Sequence, residues 1–195
     1  MSKKVLAATH NKDKLKELVR ILSPIGIEVV ACEDKALLSS IVEDGETFAQ
    51  NALIKARTVF AATGVPTLAD DSGLCVDALD GAPGVLSARY MGEDTSYDIK
   101  DRAIIAAVNA AGIDNRGAQF VCAVALVTKD GEHVFEGVCE GEIGYEMRGT
   151  NGFGYDPIFV VDGITTAERT DEEKDAISHR GKALRALADV IDDLI

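Results

Sequence analysis

Three charged segments run against their local pattern, and each has the residue types needed to hold an ion. Lys55 lies in a helical stretch: with Phe48 at zero and about 100° per residue, Ala52 falls near 40°, Val59 near 20° and Lys55 near −20°. A lysine in the middle of an apolar stripe either snorkels to water along its stem or aims its cation at an anion that offsets its desolvation. Ser178-His179-Arg180 puts an N-cap residue ahead of a terminal helix with two potential cations in its first turn. They oppose the helix dipole unless an anion binds there; two exposed residues tolerated by water are the plainer alternative. Asp70-Asp71 ends a short strand, the place where ligands bind in α/β sheets. Side chains alternate along a strand, so one carboxylate can face a ligand while the other holds its surroundings; an Asx-turn before Ser72-Gly73 is the plainer alternative.

Further acceptors and aromatic faces surround these segments. Glu43, Asp44 and Glu46 precede a helix and supply carboxylates, of which a Mg²⁺ site needs only one or two beside phosphate oxygens and water. Lys174 follows a capping box and, taken alone, reads as a surface lysine. The loop Arg148–Pro157 has glycines at 149, 152 and 154, two rings in Phe153 and Tyr155 that suit a flat heterocycle, and an acceptor in Asp156. No G-x-x-x-x-G-K-[ST] loop, G-x-G-x-x-G fingerprint or H-x-x-x-H pair occurs. The combination of cations, acidic metal candidates and an aromatic loop suits a nucleoside triphosphate.

The elements that must position these residues follow from periodicity. A strand over Val5 to Ala8 leads through Thr9-His10-Asn11 into a helix with Leu15, Leu18, Val19 and Leu22 on one face. Ile27 to Ala31 is a second strand. Thr47 and Gln50 form a capping box for a helix reaching about Ala62, stopped by Gly64 and Pro66. Thr67-Leu68-Ala69 is a short strand, and a helix spans Tyr97 to Ala111. Gln119 to Thr128 and His133 to Tyr145 form a hairpin turned at Asp130-Gly131. A strand at Ile158-Phe159-Val160, a short helix capped by Thr170 and an amphipathic helix bearing Leu184, Leu187, Ala188, Ile191 and Leu194 complete the chain. Early strand–helix alternation followed by a hairpin predicts an α/β fold with a mixed sheet.

At 195 residues the chain fits one domain, or one with two lobes around a cleft, and with no linker or repeat it is read as a single unit over 1–195. A formal charge of −13 argues against nucleic-acid polymers, which need a basic face, though most of that excess is solvated surface. Cys32, Cys75, Cys122 and Cys139 lack C-x-x-C spacing and read as reduced core thiols. Met1-Ser2-Lys3-Lys4 opens on too short an apolar run for a signal peptide, and no stretch approaches a membrane span, so a cytoplasmic setting is expected.

The motifs resemble the inosine/xanthosine triphosphate pyrophosphatase family along essentially the whole chain. The matching segments are Thr9-His10-Asn11-Lys12-Asp13-Lys14, Glu43–Phe48, Asn51–Ala56, Ala69-Asp70-Asp71-Ser72-Gly73, Gly81-Ala82-Pro83-Gly84, Ser87-Ala88-Arg89-Tyr90, Gly152–Pro157 and Ser178-His179-Arg180-Gly181. The resemblance implies an elongated two-lobed α/β fold with a central mixed sheet flanked by helices, an active-site cleft between the lobes, and a homodimer. It implies that Thr9, Asn11 and Lys14 bind phosphate, that Glu43 and Asp71 hold Mg²⁺, and that Asp71 takes the proton of the attacking water. Lys55, Ser72 and Lys174 would contact substrate, Phe153 would stack on the purine beside Gly154, Tyr155 and Asp156, and His179 and Arg180 would contact the base and nearby groups. His10 and Asn151 stand where the family often has glycine. The implied reaction is attack of water on the α-phosphorus with pyrophosphate leaving. A pyrophosphatase for modified pyrimidine nucleotides and a non-catalytic nucleotide-binding regulator are the rival readings.

Overall fold

The computed structural model describes residues 3–112 and 115–195; Met1 and Ser2, part of the N-terminal reading above, lie outside them. The chain alternates strands and helices: β1 (Lys3–Ala7), α1 (Lys12–Leu22), β2 (Ile27–Ala31), α2 (Lys35–Ser39), α3 (Phe48–Thr63), β3 (Thr67–Val76) and α4 (Tyr97–Ala111). Then come β4 (Gly117–Thr128), β5 (Gly131–Ile143), β6 (Phe159–Val161), β7 (Ile164–Thr165), α5 (Asp171–Ile177), α6 (His179–Ala188) and α7 (Ile191–Leu194). The strands form one sheet in the order β2-β1-β3-β4-β5-β6-β7. β1 runs parallel to β2 and β3, while β6 is antiparallel to β5 and β7, so the sheet is mixed, as the sequence pattern predicts.

Two compact units share this chain. The first comprises Met1–Asp71, Cys122–Gly137 and His179–Ile195; the second comprises Ser72–Val121 and Val138–Ser178. In the first, alternate residues feed two cores. Leu68, Cys122, Val124 and Leu126 pack with Leu18 and Leu22 of α1 and Leu184 and Leu187 of α6. Ala69, Ala123, Ala125 and Val127 pack with Ala52, Ala56 and Val59 of α3. The period of two along β3 and β4 thus assigns one sheet face to α1 and α6 and the other to α3. The second unit has its own core, in which Leu74 and Val76 meet Ile104 and Val108 of α4 and Tyr155, Ile158 and Phe159.

The capping boxes behave as read: Thr47 Oγ1 accepts the Gln50 N–H while Gln50 returns to the Thr47 N–H, and Gly64 ends α3 at φ 67°. Thr170 and Glu173 do the same for α5. Three details differ from the sequence reading. β3 does not stop at Ala69 but continues through Asp70-Asp71-Ser72-Gly73, which excludes an Asx-turn there. Its partner β1 pairs no further than Leu68, so the two carboxylates lie beyond the end of the parallel ladder although inside the strand. Val19, placed on the inner face of α1, is 37% exposed because Leu18 and Leu22, with Leu15 and Ile21 packed beside them, fill that contact. The terminal helix breaks at Val190, which leaves the helical region at φ −129°, although Leu184, Leu187 and Ile191 stay buried across the break. The four cysteines are free thiols, three buried and Cys75 half-buried.

Candidate active site

Strand alternation carries Asp70 and Asp71 to opposite sides of the first unit's sheet, and each acquires the cations of the helix it faces. Asp70 shares the face of Leu68, toward α1 and α6. Its Oδ2 accepts hydrogen bonds from Arg180 Nε at 3.0 Å and Nη2 at 2.9 Å, and Lys14 Nζ stands 3.1 Å away. Arg180 also donates from Nη1 to Glu17 Oε2 at 2.5 Å. Burial pushes the Asp70 carboxyl up, but Lys14, Arg180 and Lys55 outweigh it and hold it well below the usual carboxylate range. Arg180 is 1% exposed and His179 6%, which excludes the exposed-pair alternative for this segment. The anion that offsets the Arg180 charge is internal, made of Asp70 and Glu17.

Asp71 faces α3. Lys55 Nζ donates to Asp71 Oδ1 at 3.1 Å and to Glu43 Oε2 at 2.6 Å, so the stripe lysine neither snorkels nor lies bare but bridges two carboxylates. Burial lowers the affinity of Lys55 for its proton, yet the charges of Asp71, Asp70 and Glu43 reverse the sign and fix it as a cation. Burial raises the Asp71 carboxyl above its ordinary value, against the pull of Lys55 and Lys14 and with help from Glu43. Asn51 ties this corner together: its Nδ2 donates to Asp71 Oδ2 at 3.2 Å, and its Oδ1 accepts the Gly45 N–H at 2.8 Å. A side chain on Gly45 would stand 2.7 Å from Asn51 Oδ1, so glycine is required for the Glu43 loop to come this close.

The turn after β1 is built by its own side chains. Thr9 Oγ1 accepts the Asn11 N–H, and Asn11 caps α1 by accepting the N–H groups of Asp13 and Lys14. Lys14 leaves this first turn toward Asp70, while His10 is half-exposed.

In the second unit the glycine-rich loop is braced by Asp156. Its Oδ2 accepts the Phe153 N–H at 2.8 Å and Lys174 Nζ at 2.6 Å, and its Oδ1 accepts the Thr166 hydroxyl at 2.8 Å. Lys174 is 3% exposed, not a surface lysine, and its ammonium lies 4.7 Å from the centre of the Phe153 ring. Phe153 and Gly154 stay half-exposed, whereas Tyr155 is buried, donating its hydroxyl to the Ser87 carbonyl at 2.8 Å. Phe153 thus keeps surface for a flat ligand and Tyr155 supports it from the core. Ser72 is half-buried at the start of this unit's part of β3.

Among the described residues, no group of three or more His, Cys, Asp or Glu stands ready to hold a metal by itself. Glu43 and Asp71 nevertheless put hard oxygen donors around a single cation, Lys55. That set fits Mg²⁺, which takes one or two carboxylates and completes its shell with phosphate oxygens and water. The sequence reading gave no site role to Asn51, which it quoted only within a matching motif, or to Glu17. Both are buried polar residues on helix faces that pack inward, and that conflict with the apolar pattern was the available signal.

A family model described as the Ham1 family matches residues 5–190. The chain is 49% identical to a dITP/XTP pyrophosphatase of Corynebacterium efficiens, covering 98% of each protein. It is similar in structure to a HAM1 protein of Coxiella burnetii, with a TM-score of 0.88 and 42% identity over 97% of this chain and 98% of that one. A nucleoside-triphosphatase / dITP/XTP pyrophosphatase from Mycobacterium abscessus aligns with a TM-score of 0.73 and 48% identity over 94% and 98% of the two chains.

Proposed function

The chain belongs to the Ham1 family, and on that footing we propose that it hydrolyses non-standard purine nucleoside triphosphates (those of inosine, deoxyinosine and xanthosine) to the monophosphate and pyrophosphate. The observation that carries this reading is the grouping of Asp71, Glu43, Asn51 and Lys55, a carboxylate of raised proton affinity beside a fixed cation. Asp71 accepts the proton of the attacking water; the desolvation that raises its carboxyl makes it the better base. Lys55 and Lys14 are cations held by internal carboxylates, and charge developing on phosphate oxygens draws them as those carboxylates draw them now. Thr9 and Asn11 shape the turn from which Lys14 emerges.

Glu43 and Asp71 are the residues that would hold Mg²⁺, which when bound neutralises charge on the triphosphate. Phe153 offers its half-exposed ring to the purine, with Gly154 beside it, Tyr155 behind it, and Asp156 and Lys174 fixing its backbone and approach. Ser72, His179 and Arg180 complete the proposed set, Arg180 through its hold on Asp70. Discrimination against adenine follows if the site donates to a 6-oxo group, because an amino group there leaves buried donors unpaired.

We read residues 1–195 as a single catalytic domain that works as a homodimer in the cytoplasm. Among the described residues no helix is long and apolar enough to cross a membrane. The test is a panel of inosine, xanthosine, guanosine, adenosine and modified pyrimidine triphosphates, with and without Mg²⁺. Turnover of the first two with Mg²⁺ supports the reading; preference for a modified pyrimidine, or binding without turnover, ends it.

A further inference from the structure

Asp101 lies on α4 with neither carboxyl oxygen hydrogen-bonded, and its side chain is fully buried. One helical turn earlier, the Tyr97 ring would meet a Cβ on Gly154 at 3.6 Å and stands edge-on to Tyr155, with 5.2 Å between ring centres. Asp101 therefore sits behind the Phe153–Asp156 loop. A bare carboxylate in such a place carries a desolvation cost of several kcal/mol, whereas the neutral acid carries far less.

The charged and titratable groups around it do not help it ionise. From the loop come Asp156, already accepting from Phe153, Thr166 and Lys174, and the Tyr155 hydroxyl. From α4 itself come Tyr97, Asp98, which is paired with Arg102, and Lys100, whose ammonium donates to the Ala88 carbonyl at 2.7 Å. Burial first, then the charges of Asp156 and Asp98, push the Asp101 carboxyl up to about 7.

We propose that Asp101 is a positioning residue for the base-binding loop: held as the neutral acid, it leaves undisturbed the Asp156 carboxylate that braces the loop, and its ionisation loosens the loop. This rests on reading Phe153 as the wall that receives the purine. When Asp101 loses its proton to water, a second negative charge stands near Asp156 and repels that carboxylate from the position it holds. Lys174 and the Phe153 N–H share Asp156 Oδ2, so weakening that carboxylate's hold loosens the ring's backbone and its cation together. Asp71 and its partners Lys55, Glu43 and Asn51 belong to the other unit, so binding suffers while the chemical step does not.

The test compares wild type with Asp101→Asn, an amide of the same shape that cannot ionise, using Mg²⁺ and inosine triphosphate from pH 6 to 9. The ratio of the two KM values cancels titration of substrate and metal. It is expected to stay level near pH 6 and to rise roughly fivefold by pH 9, equivalent to about 1 kcal/mol, while the kcat ratio stays flat. Carboxyl carbon-13 resonances assigned in wild-type protein provide a readout that needs no variant to fold: Asp101 should titrate near neutrality. Titration in the ordinary carboxylate range overturns the proposal, and so does a KM ratio independent of pH. Phe153→Ala separates this from the reading beneath it. If that variant raises KM while the ratio stays flat, only the role of Asp101 falls; if KM is unmoved in both experiments, the base-binding reading falls with it.

Discussion

Replacing Arg180 by Met removes the centre of a buried charge cluster while keeping most of the side-chain volume, so the loss is electrostatic more than steric. Three donor contacts disappear: two to Asp70 at 3.0 and 2.9 Å and one to Glu17 at 2.5 Å. What remains is Glu17 at 4% exposure and Asp70 at 2%, with Lys14 as the ion pair left to Asp70 and the charge of Lys55 behind it. Breaking a buried pair by deleting one partner costs about 3–5 kcal/mol. The lower end applies because the Lys14 and Lys55 charges stay near Asp70, so the expected loss at pH 7 is about 3 kcal/mol. Urea unfolding followed by circular dichroism should show a midpoint lowered by about 1–2 M for a slope near 2 kcal/mol/M.

The pH dependence has a defined sign. Asp70 is held below its usual range in the folded protein, so its contribution is complete above its unfolded value of about 3.9 and fades as pH falls toward the folded value. The gap between wild type and Arg180→Met should therefore be full at pH 7 and should narrow below about pH 4. A loss under about 1 kcal/mol, the range of an exposed ion pair, refutes this reasoning, as does a gap that widens on acidification.

Other substitutions separate chemistry, binding and folding. Asp71→Asn should lower kcat by at least about a hundredfold in a pyrophosphate-release assay, with the thermal midpoint held within a few degrees. Phe153→Ala should raise KM for inosine triphosphate by about tenfold with little change in kcat, measured by initial rates. Thr47→Ala removes one half of the capping box on α3 and should cost about 1 kcal/mol in urea unfolding. Gly149→Ala should be far more damaging: its φ is 78°, and a Cβ would lie 2.3 Å from the Ala167 carbonyl carbon, so loss of soluble expression is the expected readout.

Local physics made much of this molecule legible in advance. Thr47 and Thr170 announced their helices because a capping box satisfies backbone donors within four residues. Lys55 stood out because a lysine in an apolar stripe must either reach water or meet an anion, and it meets two. The opposite tasks of Asp70 and Asp71 followed from strand alternation alone. What stayed hidden depends on distant segments. Nothing near Arg180 reveals that its anion is Asp70, 110 residues away in the chain. Lys174 looked like a surface lysine because Asp156 and Phe153, which bury it, come from another loop. β3 outran its expected end because a central strand gains ladder bonds and two packed faces that outweigh the turn preference of Asp-Asp-Ser-Gly.

The most direct test of the proposed reaction follows oxygen. Hydrolysis of inosine triphosphate with Mg²⁺ in ¹⁸O-enriched water, read by phosphorus-31 NMR, should place the label in inosine monophosphate and leave pyrophosphate unlabelled. Label in pyrophosphate, or release of orthophosphate and inosine diphosphate, would contradict attack at the α-phosphorus.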